Sequence, residues 1–158
     1  MSTPPARQIT PEERTKLMAA SLEAREMAYS PYSKFRVGAA LLTDEGEIIK
    51  GCNVENASYG GTICAERTAL VKAVSDGKKS FIALAVTTDV AEAISPCGIC
   101  RQVIREFCSL QMPILLVHGN WITDTTGDRV KEVTLEELLP YSFGPEHLEL
   151  PREKSVVY

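Results

Sequence analysis

No apolar run in the 158-residue chain approaches the roughly 18 residues that a membrane-spanning helix needs. Membrane insertion is therefore not expected. The first residues, MSTPPARQ, also lack the apolar core of a secretory leader, so a cytoplasmic, reducing setting with free thiols is expected. Positive charge is scarce: 17 Lys and Arg face 21 Asp and Glu, for a formal net charge of −4. Broad attraction for a polyanion depends on an excess of cations, which argues against a nucleic-acid partner and for a small substrate. Aromatics make up 6% of the chain and form no basic-aromatic cluster of the kind that binds single strands. Repeats, low-complexity tracts and linkers are absent, and the length suits one domain. Residues 1–9 are expected to be a flexible N-terminus, 10–148 a single catalytic domain and 149–158 a C-terminal tail.

What the chain does contain begins with Thr10-Pro11-Glu12-Glu13, a capping threonine, a proline at the first helical position and a glutamate that completes a capping box. A helix should start there, with Leu17, Met18, Ser21, Leu22, Arg25 and Met27 as a rough packing stripe, and end before the turn-rich segment 30–33. Strand-like runs over 35–43 and 47–54 flank Asp44-Glu45-Gly46, a turn suited to a hairpin. A helix over 65–76, a buried strand over 81–87, a helix over about 98–108 and a strand over 113–118 follow. Thr134-Leu135-Glu136-Glu137 repeats the capping-box pattern and predicts a short helix before Pro140. This order implies a single α/β domain with helices packed on a central sheet.

Five cysteines, at 52, 64, 97, 100 and 108, fit badly with a complete set of intramolecular disulfides. In Ser95-Pro96-Cys97-Gly98-Ile99-Cys100-Arg101-Gln102 the two thiols lie three residues apart at the start of a helix and can face one site. Ile63-Cys64-Ala65-Glu66-Arg67 places a third thiol at the start of another helix. Helix N-termini favour thiolate, and three thiolates at two such ends make a tetrahedral zinc site with one open position. Glu66 then suits proton transfer, and Arg67 can donate to the thiolates and moderate their charge. A redox pair at Cys97 and Cys100 is the competing reading of C-x-x-C, and Glu66 taken alone is an ordinary first-turn acid. Cys52 and Cys108 are read as packing residues, His118 and His147 as structural or exposed, and Lys78-Lys79 as a solvated helix end.

Cys64-Ala65-Glu66 and Pro96-Cys97-Gly98-Ile99-Cys100 together resemble the zinc nucleobase deaminases, with cysteine where other branches carry histidine. Gly51-Cys52-Asn53-Val54-Glu55-Asn56-Ala57-Ser58-Tyr59 is further similar to the ribose-binding signature of the small homotetrameric cytidine deaminases, and the likeness extends from about Tyr29 to Pro145. The resemblance implies a three-layer α/β/α fold with a five-stranded mixed sheet. It implies one zinc per subunit on Cys64, Cys97 and Cys100, and Glu66 as the catalytic proton shuttle for deamination of cytidine and deoxycytidine. Asn53 and Glu55 would bind the ribose, Phe35 the pyrimidine ring, and the Ala65 backbone the base edge. Tyr59 and Phe143 would border a neighbouring subunit's substrate in a homotetramer. A zinc-stabilised interaction module, a nucleic-acid editor and a deaminase of a cytosine-containing antibiotic are the alternatives. The first would use four protein ligands, the second a basic surface, and the third has no need of Asn53-Val54-Glu55.

Overall fold

A computed structural model describes residues 7–121 and 129–153. The proposed flexible residues 1–6 and tail residues 154–158 lie outside that range. Helix α1 spans Pro11–Glu26, and the Thr10 hydroxyl accepts the Glu13 N–H while the Glu13 carboxylate accepts the Thr10 N–H, the capping box read from the sequence. Leu17, Met18, Ser21 and Leu22 are buried, but Met27 is 77% exposed because the helix has already ended at Glu26.

Strands β1 (Val37–Thr43) and β2 (Ile48–Cys52) form the expected antiparallel hairpin, and Gly46 takes φ +91° at its turn. Both strands are shorter than their sequence patterns. The Phe35 N–H donates to the Ser33 hydroxyl and the Arg36 N–H to the Asp89 carboxylate, so neither amide joins the ladder. Beyond Cys52 the chain leaves β1, and Val54 makes single bridges to Tyr29 and Ile63 instead. A short 3₁₀ turn at Tyr59–Gly61 leads into α2 (Ala65–Ser75), which Gly77 terminates at φ +83°. There the Lys78 N–H reaches the Ala73 carbonyl and the Gly77 N–H the Val74 carbonyl, a Schellman closure. Lys78 pairs with Glu47 of the hairpin, so it is tied to protein rather than simply solvated.

Strand β3 (Phe81–Thr88) is buried at all eight positions. Helix α3 (Gly98–Phe107), β4 (Pro113–Val117), β5 (Val130–Thr134) and the one-turn α4 (Leu135–Leu138) complete the described core, with a 3₁₀ turn at Pro145–Leu148. The sheet order is β2-β1-β3-β4-β5, with β3 and β4 parallel and every other neighbouring pair antiparallel. Strand β5 was not recognisable in the sequence. It is a short edge strand whose five residues are all at least partly exposed, so no strong apolar signal marks it.

Alternating side chains of the sheet supply two cores. Leu17, Met18 and Leu22 of α1 pack with Ala40, Leu42, Ala85 and Leu115 on one face. Ala65, Ala69 and Leu70 of α2 and Ile104 of α3 pack with Ala39, Leu41, Leu84 and Ile114 on the other. The result is the α/β/α layering implied by the resemblance. A bulge where Leu42 pairs with Ala83 but Thr43 with Phe81 puts Ile82 and Ala83 on the same face. Two glycines let the helices approach the hairpin from opposite sides. A Cβ on Gly38 would lie 2.0 Å from the Ser21 carbonyl oxygen of α1, and one on Gly51 would lie 2.3 Å from the Ala69 nitrogen of α2. No helix among the described residues is long and apolar enough to cross a membrane.

Candidate active site

The site forms where α2 and α3 begin on the same face of the sheet. Cys64 and Cys97 are the N-cap residues of the two helices, both with extended backbone, and neither side chain caps its helix. Their thiols are thus free to turn toward each other. Cys100 follows in the first turn of α3 and is fully buried. All three sulfurs lie within 4.8 Å of one another, with Cys64 and Cys97 separated by 3.9 Å. A tetrahedral zinc with Zn–S bonds of about 2.3 Å would hold its sulfurs about 3.8 Å apart, so the cluster fits the ion without rearrangement of the backbone. The five cysteines are all free thiols; Cys108 is buried as a packing residue, while Cys52 is half-buried and directs its thiol to the Met27 carbonyl.

The extended backbone at Cys64 frees its side chain from helical geometry, so residues 64 and 66 need not face different ways as positions two apart in a helix do. Glu66 is 5% exposed, and burial pushes its carboxyl up to about 7. The Cys64 thiol is held down to about 5, first by hydrogen bonding from Cys100 and then by Arg67, whereas that same bond and burial hold the Cys100 proton in place. Arg67 directs Nη2 to the Cys64 sulfur at 3.7 Å and to the Thr62 carbonyl at 3.3 Å. Its buried Nε has no partner among the described residues, a further donor on the guanidinium beside the sulfurs.

The bridge between Val54 and Ile63 brings the segment after β2 alongside the residue that precedes Cys64. Asn53 is buried, and its amide brackets the start of β1: Nδ2 donates to the Phe35 carbonyl at 2.8 Å and Oδ1 accepts the Val37 N–H at 2.9 Å. Glu55 accepts the Tyr32 and Ser33 N–H groups at 2.9 and 3.2 Å together with the Ser33 hydroxyl, bonds that lower its pKa, led by the hydroxyl. Both polar residues therefore shape the loop that carries Phe35, which is half-buried. Ala65 is fully buried at the first position of α2. Tyr59 is 77% exposed and meets Tyr32 edge-on at 6.0 Å. Phe143 is 57% exposed, stacks on His147 at 5.8 Å, and is remote in sequence from the thiols.

A cavity of about 620 Å³ opens elsewhere, between α3 and the C-terminal segment, lined in part by Arg105, Glu136, Tyr141 and His147. Neither the thiols nor Glu66 border it, and the reactive groups define the site instead. Sequence reasoning quoted Arg101 within its motif but assigned it no task, and passed over Ser33. Arg101 has a recognisable signal, standing four residues after an N-cap cysteine as an arginine that can reach back over the helix start.

Fold and site together define an α/β domain whose three clustered thiols could hold a zinc ion, with a buried carboxylate nearby. Residues 11–115 match the family described as "Cytidine and deoxycytidylate deaminase zinc-binding region", and the chain belongs to that family. It is 53% identical over 139 residues to a cytidine deaminase of Sporosarcina psychrophila, covering 88% of this chain and 97% of that protein. A cytidine deaminase of Halalkalibacterium halodurans is 48% identical over 136 residues, covering 86% and 98%. The crystal structure of cytidine deaminase from Burkholderia pseudomallei superposes with a TM-score of 0.73 at 44% identity, covering 85% of this chain and 100% of that one.

Proposed function

We propose that the chain catalyses hydrolytic deamination of cytidine and deoxycytidine to uridine and deoxyuridine, releasing ammonia in pyrimidine salvage. The carrying observation is the convergence of three sulfurs within 4.8 Å at two helix starts, with buried Glu66 beside them. Cys64, Cys97 and Cys100 hold the zinc, and Arg67 donates to the sulfurs. Zinc bound there supplies Lewis-acid activation of water at neutral pH. Glu66 accepts a proton from the water whose oxygen bonds to C4 and delivers it to N3 of the pyrimidine; it then moves the proton of the new C4 hydroxyl to the exocyclic nitrogen, so that the C4–N bond breaks, ammonia leaves and the C4 carbonyl of uridine forms. A carboxyl whose burial raises its pKa to about 7 is suited to both accepting and returning that proton near neutrality.

Asn53 and Glu55 hydrogen-bond the ribose, Phe35 packs on the base and the Ala65 backbone reads its edge. The loop bonds of Asn53 and Glu55 support this reading, because groups already held by the fold bind without a further ordering cost. Exposed Tyr59 and Phe143 border the substrate of a neighbouring subunit in a homotetramer, each subunit contributing one catalytic domain over residues 10–148. Free thiols accord with a cytoplasmic location. Glu55 also sets an exclusion: a phosphate near the sugar hydroxyls would meet its carboxylate, so cytidine monophosphate should be turned over far more slowly than cytidine.

The test is mass-resolved chromatography of zinc-loaded protein incubated with cytidine, beside Glu66→Ala. Uridine formed only by the intact protein supports the assignment, and its absence from folded, zinc-loaded protein rejects it. Light scattering that found a fully active monomer at micromolar concentration would remove the tetramer and the roles given to Tyr59 and Phe143.

A further inference from the structure

We propose that Arg101 is a positioning residue for the metal centre, fixing the 95–97 segment and with it the direction in which Cys97 presents its sulfur. The inference rests on the reading of Cys97 as a zinc ligand. Of the three thiols, Cys97 is the exposed one. Gly98 has no side chain to pack and Ile99 is 63% exposed, so the cysteine lies on an open stretch between buried Pro96 and buried Cys100. Arg101 adds directional bonds to that burial. Its backbone N–H donates to the Cys97 carbonyl at 3.0 Å. Nε donates to the Pro96 carbonyl and Nη2 to the Ser95 hydroxyl, each at 2.7 Å. Nη1 donates to the Leu138 carbonyl at the end of α4, also at 2.7 Å. The side chain thereby grips the two residues that precede the cysteine, whose own carbonyl takes the first helical backbone bond, and anchors them to a separate helix.

The planar fork of a guanidinium is what permits three donors to leave in fixed directions; an ammonium on a flexible stem has no such geometry. Arg101 touches no sulfur among its described bonds, in contrast to Arg67. Its effect on the metal is therefore geometric, acting through the backbone that aims Cys97.

The experiment follows zinc transfer from the holoenzyme to a chromogenic chelator in excess, a readout independent of turnover. Arg101→Gln is expected to release zinc about 10- to 100-fold faster than the unaltered protein, the range typical when a group that orients a ligand is lost. Arg101→Lys should fall between the two, and Ser95→Ala, which removes one acceptor and leaves the arginine, should accelerate release by less. Arg105→Gln is the control for general destabilisation. Arg105 lies one turn further along α3 and bonds Ser142 and Glu146 rather than residues 95–97. Its variant should release zinc near the normal rate even where its melting temperature falls as far.

Release from Arg101→Gln at the normal rate, or equal acceleration in Arg105→Gln, overturns the proposal. Should Arg101→Gln fail to fold, Arg101→Lys and Ser95→Ala decide it on the same scale: both at the normal rate overturn it. A Cys97→Ala protein that holds zinc as tightly as the unaltered one identifies a different failure, since it removes the ligand reading and the proposal with it.

Discussion

Helices α2 and α3 begin alike, each with a cysteine at the N-cap in extended conformation and an arginine within the next four residues. They are held by different means. The start of α2 is pressed on strand β2, where a Cβ on Gly51 would lie 2.5 Å from the Ala65 carbonyl oxygen, and its Arg67 donates directly to the Cys64 sulfur. At the start of α3 a Cβ on Gly98 would meet nothing within 4 Å, Cys97 is exposed, and Arg101 holds backbone rather than sulfur. Burial desolvates Glu66 and raises its pKa, so the proton carrier of the proposed reaction lies on the packed side. Metal ligation requires only aimed sulfurs, which hydrogen bonds can provide on the open side.

The strongest way to break this division is Glu66→Gln, which keeps the shape of the packed side and removes its proton carrier. Steady-state kinetics on zinc-replete protein should show kcat reduced by about 10²- to 10⁴-fold. A variant with near-normal kcat would shift proton transfer to some group outside α2.

Gly51→Ala tests the packing itself. The added methyl meets backbone atoms that cannot rotate away, so denaturant unfolding should register a loss of about 3 kcal/mol or more. A cost below about 1 kcal/mol would mean that α2 can lift from the strand and that its close approach is not what orders Cys64.

Metal removal should sharpen the contrast in dynamics. In hydrogen exchange, amides of 98–101 are expected to exchange at least about tenfold faster after chelation, with smaller acceleration over 65–68, because local opening follows the less packed segment. Equal acceleration at both ends would mean that the two helix starts open as one unit.

Gly98→Ala carries the smallest effect and the opposite sign from Gly51→Ala. With open space around the site and a helical position to occupy, alanine should add about 0.4–1 kcal/mol by reducing unfolded-state freedom. A destabilised Gly98→Ala protein would show that the start of α3 is packed after all.

Local grammar explains much of what was legible in the chain. Thr10 and Thr134 announce their helices because a hydroxyl three residues before a glutamate closes the same capping box in either place. Asp44-Glu45-Gly46 marks the hairpin turn because Gly46 must take positive φ. Strand β5 escaped because an edge strand with no fully buried residue carries no apolar pattern to detect. Strand ends were overestimated at Phe35 and Val54 because both extend the alternation of apolar and polar residues past the ladder, while their backbone bonds go to a serine hydroxyl and to neighbouring loop segments.

The sequence by itself determined the chemistry available: three cysteines and a glutamate at two helix starts, in motifs whose spacing is local and so independent of the rest of the fold. Only the tertiary structure decided that those starts meet, that Glu66 is buried and its pKa thereby raised, and that Asn53 and Glu55 organise the loop bearing Phe35. It also decided that the two similar cysteine–arginine pairs are held differently. Spacing along a helix is set by covalent geometry, whereas burial, desolvation and the acceptor an arginine finds depend on distant strands and helices packed against it.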